Sequence, residues 1–144
     1  MDTIYHSESN RYLAPFLVAN VNDCAITNRN YRKEFWTGCY LQMTLMSIPV
    51  CSDVGVEIHK DMDQMIRIEQ GKALVKSGKT KQCLDYTKCA GKNDVIFVPA
   101  GTWHNIINTG NVALKLSSVY APPHHPVGIV QVSKEDSEGY TNHQ

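Results

Sequence analysis

The chain has 144 residues, 42% of them apolar and 19% charged, with fourteen basic residues balancing fourteen acidic ones. That length is one domain's worth and buries about 68–70% of the unfolded surface, so a core forms without disulfides or a structural metal. The composition excludes disorder, and the neutral balance speaks against a nucleic-acid partner, which calls for a basic surplus. No apolar run reaches the roughly 20 residues of a membrane helix, and Met1–Glu8 lacks the basic and apolar regions of a secretory signal. Cys24, Cys39, Cys51, Cys83 and Cys89 are odd in number and include no C-x-x-C pair. They are expected to be free thiols, as in a reducing cytoplasm.

In chain order the sequence predicts strands. Phe16–Ala19 is short and apolar. Asn20–Lys33 is polar and predicts a loop. Tyr40–Ile48 is a strand stopped by Pro49, and Val54–Lys60 and Gln64–Gln70 follow, the latter ending at Gly71. Ala73–Lys76 and Lys81–Tyr86 flank Ser77–Lys79 as a hairpin. Asp94–Val98 runs into Pro99 and Gly101, and Trp103–Asn108 and Val112–Tyr120 are separated by Thr109–Asn111. No segment carries a sustained helical period, and the tail from Ser133 is polar. Many short strands predict an antiparallel sandwich or barrel.

Side chains two apart in a strand share a face. Glu57 and His59 therefore face one side, Gln64 goes with Ile66 and Ile68, and His104 goes with Ile106 and Asn108. A carboxylate, two imidazoles and an amide converging from a rigid frame are the donors a divalent metal needs. Asp61 and Asp63 read as exposed turn residues. Asn108 closes the turn before Gly110, and Asn105 points away from His104. The six lysines between Lys72 and Lys92 read as a solvated hairpin. Pro122–Pro126, with His124 and His125 inside it, reads as an extended strap packed on the barrel after Tyr120.

These residues resemble the cupins, small barrels with two signature motifs. In the second, Pro99, Gly101, His104 and Asn108 match. In the first, Gln64 takes the Glu place, counting back from Gly71, while His59 takes the second His place and Glu57 the first. Cys51 and Asn93 stand where each motif opens on Gly. The resemblance covers roughly residues 36–121. It implies an all-β, single-domain cupin (double-stranded β-helix, or jelly-roll, barrel) over 1–144. The conserved barrel would span 36–121, with an N-terminal extension at 1–35 and a C-terminal strap and tail at 122–144. Cupins usually hold one divalent ion on three His and one Glu. Here Glu57, His59, Gln64 and His104 would hold it, and the donor set suits Zn, Mn, Fe, Co or Ni.

The set is similar to that of cupin-type phosphomannose isomerases, with amide and carboxylate exchanged. Gln42, Met46, Asp63, Gln64, His104, Asn105 and the run from Tyr120 to Pro123 resemble single-domain bacterial cupins of the mannose-6-phosphate isomerase-like group. The resemblance implies a metal-dependent isomerase of a small sugar-like molecule. The alternatives are a metal-dependent dioxygenase and a non-catalytic ligand-binding barrel. Lys60 and Arg67 fall opposite the ligands, so a small polar molecule is favoured over a phosphosugar. The apolar Leu13–Ala19 segment and the outward Val56 and Ile58 predict a symmetric homodimer. The expected setting is the cytoplasm, with no nucleic-acid or membrane partner.

Overall fold

The computed structural model describes residues 14–141. Nine strands form two antiparallel sheets. They are β1 (Arg32–Thr37), β2 (Gln42–Ile48), β3 (Asp63–Gln70), β4 (Lys72–Gly78), β5 (Tyr86–Gly91), β6 (Val95–Val98), β7 (Trp103–Asn108), β8 (Leu114–Ala121) and β9 (Val130–Gln131). The six-stranded sheet has the order β6-β3-β8-β2-β1-β9, and the three-stranded sheet has β5-β4-β7. The fold is the all-β, single-domain jelly-roll barrel expected from the motifs. Among the described residues, no helix is long and apolar enough to cross a membrane. Cys24, Cys51, Cys83 and Cys89 are free thiols.

The inward faces divide the barrel into an apolar end and a polar end. On β3, Gln64 leads to Ile66 and Ile68; on β8, Tyr120 leads to Ser118 and Leu116; on β2, Gln42 leads to Thr44 and Met46. Pairing aligns these series, with Gln64 opposite Tyr120, Ile66 opposite Ser118 and Ile68 opposite Leu116. The core therefore gathers Met46, Ile48, Ile66, Ile68, Ile106, Leu114 and Leu116 at one end. The buried polar side chains Gln42, Thr44, Gln64 and His104 collect at the other. One alternating pattern thus builds both the hydrophobic support and the site.

The chain departs from the expected elements in several places. Phe16–Ala19 forms no strand; its neighbour Pro15 is held by one hydrogen bond, from Trp36 Nε1. The polar stretch expected to be a loop contains α1 (Val21–Thr27) and the start of β1. Asn20 caps the helix by accepting from the Asp23 N–H at 3.0 Å. Seven residues are too few to show a sustained helical period. The polar tail likewise forms α2 (Lys134–Thr141). There Ser133 and Asp136 exchange side-chain bonds to each other's backbone N–H, in the manner of a capping box.

Residues 54–60 do not form a regular strand. Positive φ at Cys51 and Gly55 breaks the extended backbone, leaving isolated bridges at Asp53–Ile107 and Glu57–His104. The hairpin is also displaced. β4 runs to Gly78, the chain turns tightly between Thr80 and Cys83, and β5 begins only at Tyr86. A Cβ on Gly78 would lie 1.9 Å from the Cys83 carbonyl oxygen, so this path requires glycine.

Candidate metal centre

Three loops and strands bring the donors together. Glu57 and His104 exchange both backbone hydrogen bonds at 3.0 Å, which places their side chains next to each other. The Gly101 N–H donates to the His59 carbonyl at 2.8 Å, fastening the His59 loop to the turn that starts β7. Gly101 has φ +82, which favours glycine there. Asp63 is exposed as expected but begins β3 rather than lying in a turn; it accepts from the Ala100 N–H at 3.0 Å and steadies the turn before β7. Gln64 enters from β3, on the neighbouring sheet.

The donor atoms of Glu57, His59 and His104 all lie within 4.8 Å of one another. His59 Nε2 is 3.3 Å from Glu57 Oε1, and His104 Nε2 is 3.4 Å from the same oxygen. Neither nitrogen has a hydrogen-bond partner, and neither has Gln64 Oε1, although all three atoms are buried. Buried polar atoms are almost always paired, so three orphans on candidate ligands mark a place for a cation. Two donors each about 2.1 Å from one ion, at tetrahedral to octahedral angles, sit roughly 3.0–3.4 Å apart. The two separations from Glu57 Oε1 fit that spacing.

The other ends of the ligands are already fixed. His104 Nδ1 lies 2.9 Å from the Thr102 carbonyl, which can only accept, so Nδ1 carries the hydrogen and donates it in a hydrogen bond; this leaves the Nε2 lone pair for a metal. Gln64 Nε2 donates to Ser118 Oγ at 2.7 Å, and its Oε1 is left as a buried acceptor without a partner. Burial pushes the Glu57 carboxyl up, but the His104 and His59 imidazoles outweigh it and hold it well below the usual carboxylate range. For His104, burial lowers the pKa, and Glu57 and the Thr102 carbonyl overcome this and raise it. The carboxylate and imidazoles thus form a potential well for positive charge, which a divalent ion can occupy in place of a proton.

Sequence reasoning missed the residues around these donors. The strap following Tyr120 folds back so that the His124 ring lies 4.8 Å from the His59 ring. His125 Nε2 lies 3.3 Å from the Tyr120 hydroxyl. Gln42 holds the strap by accepting from the His124 and His125 N–H groups and donating to the His125 carbonyl. Its resemblance to a family residue was visible, but this role was not. Burial, and then the nearby His59, lower the pKa of His124. Other expectations hold: Asn105 bonds Asp53 and the Gly55 N–H, away from the donors, and Asn108 closes its turn on Ile48, Gly110 and Val112. Arg67 pairs with Glu69 and Asn93, away from the site.

A cupin-domain family model matches residues 44–120. The uncharacterized protein YrkC of Bacillus subtilis (strain 168) is 50% identical over 123 residues, or 85% of this chain. The match spans 66% of YrkC, just under two thirds of its length. The uncharacterized protein L612 of Acanthamoeba polyphaga mimivirus is 41% identical over 123 residues, covering 85% of this chain and 75% of that one. The crystal structure of BH2720 from Bacillus halodurans superposes with a TM-score of 0.84 at 46% identity, covering 85% of this chain and 93% of the other. The chain belongs to the cupin family.

Proposed function

Taking membership of the cupin family as premise, we propose that the protein holds one divalent metal ion on Glu57, His59, Gln64 and His104 and acts as an isomerase on a small sugar-like molecule. The observation that carries the metal reading is the set of buried, unpartnered atoms His59 Nε2, Gln64 Oε1 and His104 Nε2 around the Glu57 carboxylate. A bound divalent ion would supply Lewis acidity toward a carbonyl or a pair of hydroxyls.

The chain's own residues do the rest. Glu57 supplies the negative charge that neutralises part of the ion, and the neutral donors leave it electrophilic. Glu57 is not assigned as base, because a coordinated carboxylate is a poor one. His124 is the imidazole at the rim, kept neutral by burial and by His59, and is suited to accept a proton moving between neighbouring carbons. The apolar end of the barrel keeps water from one side of the site.

The test is metal content per chain for the purified wild type and for His104→Ala, with circular dichroism to confirm folding. Metal in the wild type and its loss from folded His104→Ala is the expected result; equal content would overturn the assignment. Isomerisation is then read by nuclear magnetic resonance as solvent deuterium entering small hydroxyaldehydes and hydroxyketones. Oxygen uptake by an iron-loaded sample, without that exchange, would point to a dioxygenase instead.

A further inference from the structure

Sheet register places a lysine on the same inner face as the candidate metal ligand. Ser77 of β4 lies opposite His104 on one side and Tyr86 on the other. One step along, Val75 lies opposite Ile106 and Lys88. Residues two apart share a face, so His104, Tyr86 and Lys88 all look toward the barrel interior. They line one cleft of about 480 Å³ together with β6 and Thr102, and His104 is the one candidate ligand in its lining. A volume of that size suits a small molecule. Lys88 is the only ammonium in the lining and Asp94 the only carboxylate, and Asp94 accepts from the Gly91 N–H. Among the described residues, no carboxylate forms an ion pair with Lys88.

We propose that this cleft is the ligand site and that Lys88 recognises an anionic end group, a carboxylate or a phosphate, on a small hydroxylated molecule whose other end reaches the metal centre. The inference rests on the metal reading above and narrows its substrate class. Two strand spacings and one two-residue step separate the Lys88 and His104 backbones by roughly 12 Å. Tyr86, 57% exposed at the rim, offers a ring face to the apolar side of such a molecule. An inward lysine on an edge strand also guards against edge-to-edge association, a role that needs no ligand.

The experiment is calorimetric titration of zinc-loaded, dialysed protein with three probes: D-glucitol, which is neutral; D-gluconate, which adds a carboxylate; and D-glucitol 6-phosphate, which adds a phosphate. In the wild type at least one anionic probe should bind about tenfold tighter than glucitol, and the preferred probe identifies the anion. Lys88→Gln should erase that preference without changing glucitol affinity or metal content, and Lys88→Arg should keep it. Equal affinities for all three probes in the wild type would overturn the inference. So would an unchanged preference in Lys88→Gln, which would leave edge protection as the lysine's role. Zinc content of the same samples separates the two readings. A wild type that retains no zinc but shows a Lys88-dependent preference overturns the metal assignment and supports the anion site.

Discussion

Ser118 gives the sharpest test of how the candidate centre is built, because its removal leaves every proposed ligand in place. Among the described residues its hydroxyl accepts the one hydrogen bond that orients the Gln64 amide, at 2.7 Å, and both side chains are buried. Ser118→Ala strands a buried N–H donor, which costs about 1–3 kcal/mol of stability in the metal-free protein. The amide is also released to turn its nitrogen toward the other donors, where it cannot coordinate. Loss of a group that positions a ligand typically lowers metal affinity about 10–100-fold, equivalent to about 1.4–2.7 kcal/mol. Ser118→Thr keeps the hydroxyl and should retain most of the affinity. The assay is competition for zinc against a chromophoric chelator, with urea unfolding of the metal-free proteins alongside. If folded Ser118→Ala bound zinc as tightly as wild type while His104→Ala lost it, Gln64 would not be a ligand and the site would be the Glu57, His59 and His104 trio alone.

Burial, then the Arg32 charge and His124, push the His125 pKa down to about 3. The unfolded chain takes up this proton below about pH 6.5 and the folded chain does not, so stability is full above that pH and falls toward pH 3, by at most about 1.4 kcal/mol per unit. Urea midpoints for His125→Gln should show a shallower loss between pH 6.5 and 4; an identical profile would refute this origin. Gly78→Ala should lower the melting temperature, with a loss of about 1–3 kcal/mol, because its Cβ meets the Cys83 carbonyl; an unchanged melt would show that the turn yields freely. For the expected homodimer, a candidate face beyond the one read from the sequence is the cross-strand row Trp36, Met43, Val119 and Met65, beside the exposed Phe16. Light scattering at micromolar concentration should report twice the monomer mass, and Met43→Glu should return it to the monomer; a monomeric wild type would refute the assembly.

The sequence by itself carried the all-β class, most strand positions and the donors Glu57, His59 and His104. Those signals are local: alternation sets faces, proline and glycine set turns, and the Pro99–Asn108 spacing places an imidazole at a strand start. Short or irregular elements escaped for the same reason. α1 is too brief to show a period, and Gly55 hides a break inside what reads as a strand. Only the tertiary structure brought His124 against His59, through Gln42 contacts that reach across 82 and 83 residues. It alone showed that Lys88, exposed as expected of a solvated hairpin lysine, also lines the His104 cleft, because that position depends on the β5-β4-β7 register. Local geometry is written in neighbouring residues. Which side chains meet across strands is decided by long-range pairing, whose register follows from burying the whole apolar face at once.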